Sequence, residues 1–246
     1  MKADHFDQQK LLALAAEDVA LTQLAHRKRT LPEVAAVEAA AEAEQEYAAE
    51  VVRAETEVRD LEREVKRLEG DVDTVRQRAA KDQKLLDSGS VSPKEMTNLQ
   101  HELQSLARRQ SDLEDQELEL MEQLETAEAT LTAAREGQAK AQAERERAEQ
   151  LRDDALADIA DGTARHETAR AEAAATIPAD LLALYERIRT QTGGTGAAML
   201  KARQCQGCRI ELFGKELSAV RNADPHEVVR CDNCGRILVR TAESGL

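Results

Sequence analysis

Residues 51–79 read VVRAETEVRDLEREVKRLEGDVDTVRQRA, and their apolar positions decide the fold. Val51, Ala54, Val58, Leu61, Val65, Leu68, Val72, Val75 and Ala79 are separated by alternating steps of three and four. An α-helix turns once in about 3.6 residues, so this spacing puts all of them on one narrow stripe, the a/d seam of a coiled coil. A second seam follows Pro93: Met96, Leu99, Leu103, Leu106, Leu113, Leu120, Leu124, Ala127, Leu131 and Ala134. Gln110 and Glu117 fall at two a positions of that seam, where polar residues lower stability and fix register.

The stretch between the seams is Asp87-Ser88-Gly89-Ser90-Val91. It is short and turn-rich, and short helix–helix connections join antiparallel neighbours. Residues 4–87 and 93–175 then form two arms of nearly equal length, each about 120 Å at a rise of ~1.5 Å per residue. Thr30-Leu31-Pro32-Glu33 and Ser92-Pro93-Lys94-Glu95 both fit a capping box, and the first marks a break in its arm. The seam loosens before Tyr47 and after Ala141, where Ala dominates, so those ends are expected to be the weaker part. A third helix is expected near Pro178–Thr190, with Leu181, Leu182, Leu184, Tyr185 and Ile188 on its apolar face. Gly193-Gly194-Thr195-Gly196 ends it and reads as a flexible linker. The cluster lacks the Lys-Ser/Thr of a phosphate loop.

The composition agrees with long helices. Of 246 residues, 33% are charged, 43 are Ala, and the aromatics are Phe6, Tyr47, Tyr185 and Phe213 alone. One large globular core is excluded by that shortage, because aromatic side chains bury ~150–250 Å² each. Disorder is excluded by the periodic apolar residues. No run reaches the ~18–20 apolar residues of a transmembrane helix, and the start lacks a signal-peptide pattern, so a cytoplasmic protein without a membrane contact is expected.

After the linker the residues change. Ala197–Leu200, Ile210–Phe213, Val228–Arg230 and Arg236–Arg240 have strand character and bracket the four cysteines. Cys205-Gln206-Gly207-Cys208 and Cys231-Asp232-Asn233-Cys234 form two C-x2-C knuckles 22 residues apart. Two knuckles supply four thiolates at tetrahedral geometry, with Zn–S near ~2.3 Å. A segment of this length needs such a staple. One structural zinc on Cys205, Cys208, Cys231 and Cys234 is therefore expected, and Cys208→Ser should unfold the ribbon while leaving the hairpin's helical signal largely intact.

Other chemistry has less support. A rubredoxin-like iron site sits in an aromatic core, and a thioredoxin-like pair sits in a βαβ unit. Haem attachment needs His after the second Cys, where this chain has Arg209 and Gly235. His226 lies within the array, but four cysteines already close a site. His5, His26, His101 and His166 are scattered along helices. Asp153, Asp154, Asp158 and Asp161 read as a solvated acidic face. A closed four-Cys site leaves no position for water, and no nucleophile–base pair stands elsewhere, so an enzyme with a small-molecule substrate is not expected.

The net charge of −14 is uneven. Residues 201–240 hold eight Lys and Arg against five Asp and Glu, a sum of +3, which leaves −17 for the remainder. Four thiolates with Zn²⁺ bring the ribbon to about +1. The acidic arms repel nucleic acid, so a contact with RNA or DNA would fall on the ribbon, with Arg209, Lys215 and Arg236 as candidate residues.

Tyr185-Glu186-Arg187-Ile188-Arg189, the first knuckle and Cys231-Asp232-Asn233-Cys234-Gly235-Arg236-Ile237-Leu238 together resemble the bacterial C4-type zinc ribbon proteins that carry an N-terminal coiled-coil hairpin. The resemblance implies that the four cysteines bind zinc and that the protein is an interaction protein. Some members are linked to RNA polymerase sigma-54, to flagellar or type III secretion components, and to RNA, so the resemblance implies the class and not the partner. The expected fold is mainly α: a long antiparallel coiled-coil hairpin over 1–175, a short helix and Gly-rich linker over 176–196, and a small C-terminal β zinc ribbon over 197–246. The expected function is a non-enzymatic zinc-binding adaptor whose ribbon contacts nucleic acid or a nucleic-acid-bound protein. The alternative is a scaffold or chaperone for a transcription, flagellar or secretion component, holding its protein partner through the coiled coil.

Overall fold

The two seams pair as their spacing requires in the computed structural model, which describes all 246 residues. The elements are α1 (His5–Arg29), α2 (Pro32–Asp87), α3 (Pro93–Ala175), α4 (Ala179–Thr192), β1 (Ala197–Lys201), β2 (Gln204–Cys205), α5 (Gly214–Asn222) and β3 (Ile237–Val239). They fall into two compact units, Val34–Gln150 and Met1–Glu33 with Leu151–Leu246.

The unit Val34–Gln150 is the antiparallel coiled coil of α2 and α3. Leu68, Val72 and Leu113 form a buried cluster in its seam, with Val75 and Leu120 packed against it. Charge pairs cross between the helices beside the seam: Arg76–Glu114 at 2.6 Å, Arg78–Glu102 at 2.6 Å, Arg135–Glu55 at 2.8 Å and Arg145–Glu44 at 3.0 Å. Gln110, the polar residue of the second seam, donates to Glu114 Oε1 at 2.8 Å and so joins the Arg76 pair. At the turn, Gly89 takes φ +63° and Ser92 builds the expected capping box. Its N–H donates to Glu95 Oε2 at 2.8 Å, and its Oγ accepts from Glu95 N at 3.3 Å. Pro93 occupies the first helical position, where its missing N–H leaves nothing unsatisfied.

The second unit departs from the sequence expectation in three places. First, α1 is not a weak end. Leu11 and Leu14 are fully buried with Ile177, Leu181, Tyr185, Ile188, Ala197, Ile237 and Val239. α1 therefore docks on the sheet as well as on helices. Met1–Ala3 extends the same contact: the backbone of Lys2 forms an antiparallel β-bridge with Glu227, and Ala3 N donates to His226 O at 2.7 Å. Second, Thr30 does not cap α2. Its Oγ1 donates back to His26 O at 3.1 Å and closes α1, while Leu31 packs with Ala155 and Ile159. Third, the Gly cluster is a tight turn and not a flexible linker. Gly193 takes φ +66° as the left-handed cap of α4. Gly196 is buried, and a Cβ there would stand 2.3 Å from the Tyr185 carbonyl oxygen.

The sheet has the order β2-β1-β3, antiparallel between β1 and β2 and parallel between β1 and β3. Side chains alternate along it. Ala197, Ile237 and Val239 face the α1–α4 core, and Ala198, Leu200 and Leu238 face Cys205, Leu212, Val220 and Cys231. Burial on both faces explains the unbroken apolar run Ile237-Leu238-Val239. The runs at 210–213 and 228–230 are not strands; Glu211, Arg230 and Glu227 make isolated bridges only. Helix α5 was not foreseen. Its signal was Leu217 and Val220 at i, i+3, and Val220 is buried against the sheet.

Candidate metal centre

Each knuckle is the same turn built twice. In the first, Arg209 N donates to Cys205 O at 2.7 Å and Cys205 N donates to Ile210 O at 3.0 Å. In the second, Gly235 N donates to Cys231 O at 2.8 Å and Cys231 N donates to Arg236 O at 2.9 Å. The residue after the second cysteine is left-handed in both, Arg209 at φ +60° and Gly235 at φ +72°. The turn points backbone donors at sulfur. Gly207 and Cys208 N–H groups face the Cys205 sulfur, and Asn233 and Cys234 N–H groups face the Cys231 sulfur.

The four Sγ atoms lie within 4.8 Å of one another. Cys205–Cys234 and Cys208–Cys231 are each 3.9 Å apart. A tetrahedron with Zn–S of ~2.3 Å has edges of about 3.8 Å, whereas a disulfide needs ~2.05 Å. The cluster therefore fits a tetrahedral zinc, and the cysteines are unpaired with one another. Cys205 and Cys231 are buried, while Cys208 and Cys234 are half-buried. Burial pushes the Cys205 thiol up to about 12 and raises Cys231 as well. At Cys234 burial also acts upward, but the backbone N–H and guanidinium of Arg236 hold the thiol below its ordinary value. Zinc needs all four as thiolates, so metal uptake releases protons.

Two matches with known proteins now bear on the chain. Residues 14–193 match the CT398-like coiled coil hairpin domain, and residues 204–238 match the C4-type zinc ribbon domain. The chain belongs to the CT398-like coiled-coil hairpin family. An uncharacterized protein of Mycobacterium tuberculosis is 41% identical over 241 residues, covering 98% of each chain. A structure from Mycobacterium smegmatis aligns with a TM-score of 0.82 at 34% identity, over 98% of this chain and 100% of that one. The structure of CT398 from Chlamydia trachomatis shares the fold, with a TM-score of 0.62 at 21% identity over 96% and 98% of the two chains. This CT398-like protein carries one structural zinc, on Cys205, Cys208, Cys231 and Cys234.

The remaining candidate residues separate by environment. Arg209 and Lys215 are exposed, Arg209 behind the first knuckle and Lys215 in the first turn of α5. Ile210 and Phe213 stand exposed in the same segment. Arg236 is half-buried, and its Nε donates to Thr195 O at 3.1 Å and Thr195 Oγ1 at 3.2 Å. His226 is not among the clustered metal-ligating residues; its Nδ1 lies 3.9 Å from Asp4. Asp153, Asp154, Asp158 and Asp161 are exposed on α3 and form no such cluster. No helix is long and apolar enough to cross a membrane.

Two charged groups that the sequence reading did not single out prove buried. Asp18, fully buried, accepts from Tyr185 OH at 2.5 Å and Arg170 Nε at 2.7 Å, and Arg189 Nε lies 2.8 Å away. Arg240 donates to five backbone carbonyls, those of Val220, Ala223, Asp224, Pro225 and Glu227. Its charge is spent on closing the α5–β3 connection and does not face solvent.

Proposed function

We propose that the protein is a non-enzymatic zinc-binding adaptor of the cytoplasm, whose ribbon contacts nucleic acid or a nucleic-acid-bound protein and whose coiled coil is the docking arm. The observation that carries this reading is the exposed set Arg209, Ile210, Phe213 and Lys215 beside a closed zinc site. Four thiolates leave zinc no open position for water, which supports a structural metal and no hydrolytic chemistry. Two cations with one exposed aromatic ring support weak contact dominated by phosphate.

Titration of labelled single-stranded RNA and duplex DNA into full-length protein at two salt concentrations tests the reading. Binding at low salt that weakens as salt rises is expected. Replacing Arg209 and Lys215 together by Gln should flatten the salt slope, by about 1 for each phosphate contact removed. No binding at low salt would overturn the nucleic-acid half.

A second reading has its own observation. Val52, Leu118 and Met121 project from the coiled coil, at 62%, 59% and 51% exposure, away from its seam. Apolar side chains so placed support a protein partner held by the arm, with the protein acting as a scaffold or chaperone. Leu118→Gln with Met121→Gln should then abolish capture of that partner by full-length protein, and a ribbon substitution should not.

A further inference from the structure

Arg236 touches three parts of the chain that only folding brings together. Its Nε donates to both the carbonyl and the hydroxyl of Thr195, in the turn between α4 and β1. Its stem lies against the first knuckle, where a Cβ on Gly207 would stand 2.8 Å from Arg236 Cδ. Its backbone belongs to the second knuckle, where its carbonyl accepts from Cys231 N at 2.9 Å. We propose that Arg236 is the positioning residue of the metal centre, clamping the two knuckles to each other and to the α4–β1 turn so that zinc is retained.

The physical case rests on polar contacts: the knuckles share the buried apolar cluster of Leu200, Leu212, Val220 and Leu238, and Arg236 adds the hydrogen bonds that fix them to the α4–β1 turn. Each knuckle is a self-contained turn, and β1 with its short partner strands supplies the backbone connection between them. Four sulfurs hold a metal tightly only when both turns are fixed against each other. Groups outside the ligand set that do this are worth ~10–100-fold in metal affinity. The residue type also fits. A planar guanidinium fixes one edge on Thr195 and still directs N–H groups toward the Cys234 sulfur, which a Lys ammonium on a flexible stem does not reproduce. Gly207 is required by the same contact, since a side chain there would strike the Arg236 stem.

The test uses full-length protein loaded with zinc and, separately, with cobalt. Arg236→Met keeps a stem and removes the guanidinium. It should release zinc to a chromophoric chelator ~10-fold faster or more and shift the sulfur-to-cobalt charge-transfer band. Arg236→Lys should fall between it and the parent. Arg221→Met, on the exposed end of α5, should match the parent in both readouts. Parent-like zinc release with an unmoved cobalt band in Arg236→Met would overturn the proposal. Should neither Arg236 variant take up metal, Thr195→Val decides: it removes one of the two acceptors and leaves the stem contact. Faster release in that variant supports the clamp, and unchanged release overturns it.

Discussion

At the scale of single residues, the two knuckles differ at the one position that matters for strain. The left-handed residue is Gly235 in one and Arg209 in the other. That conformation costs a non-glycine residue about 1–2 kcal/mol, because its Cβ crowds the following carbonyl. Arg209→Gly should therefore stabilise the ribbon by about 1 kcal/mol, read as a higher melting temperature of the zinc-bound protein. Gly235→Ala should destabilise it by at least ~1 kcal/mol, since a Cβ there also meets Arg230 Nη2 at 3.1 Å. Under the proposed contact role Arg209→Gly also weakens nucleic-acid binding, so stability and binding move in opposite directions. The Asp18–Tyr185 pair makes a second residue-scale prediction. Burial, then the Asp18 carboxylate, push the Tyr185 hydroxyl well above its ordinary value. An unfolded Tyr ionises near pH ~10, so above that pH the folded chain binds one more proton than the unfolded chain. The contribution is fully present below pH ~10 and is lost at up to ~1.4 kcal/mol per pH unit above it. Melting curves between pH 9 and 11 should fall less steeply for Tyr185→Phe than for the parent.

At the scale of elements, two similar sequences end differently. Ser92-Pro93-Lys94-Glu95 forms its reciprocal box, so Ser92→Ala should cost about 1 kcal/mol, seen as faster amide exchange in the first turn of α3. Thr30-Leu31-Pro32-Glu33 has the same pattern but no box, and Thr30→Ala should change stability by no more than about 0.5 kcal/mol. The difference comes from Leu31, whose burial against Ala155 and Ile159 sets the path of the chain through the break. This contrast shows what the sequence can carry. The seam, the turn at 87–92, the Ser92 cap and the four metal ligands were legible because each is a local spacing. The docking of α1 was not, because Leu11 and Leu14 meet Ala197 and Ile237, residues far along the chain that no local pattern connects. The turn at Gly193–Gly196 was misread for a related reason. Glycine marks both flexible and crowded backbone, and only the approach of the Tyr185 carbonyl to Gly196 distinguishes them. Arg236 reads as a candidate contact and Arg240 as part of the ribbon's net charge, because all but one of their acceptors are backbone oxygens, which leave no trace in residue identity.

At the scale of the whole molecule, the zinc site is connected through the sheet to more chain than the ribbon that contains it. The metal fixes the knuckles, the knuckles frame β1 and β3, and the inner face of that sheet shares one core with α1, α4 and Tyr185. Met1–Ala3 is bonded to the segment 226–228 on the same side. Removing zinc should therefore loosen residues 1–30 together with 197–240. The sequence reading confined the effect of Cys208→Ser to the ribbon, and the buried Leu11 and Leu14 are the reason to extend it. Residues 34–150 have a seam of their own at Leu68, Val72 and Leu113 and should keep their protection. Amide exchange by mass spectrometry on full-length protein, before and after chelation, reads all three segments at once. The expected result is loss of protection over 197–240, partial loss over 1–30 and none over 34–150. Unchanged protection over 1–30 would mean that α1 is held by its contacts with α3 and α4, among them Leu181, Tyr185 and the Asp18–Arg170 pair, without help from the sheet. The fully buried carboxylate of Asp18 would then be the anchor of α1, and Asp18→Asn would release in that helix what chelation left in place.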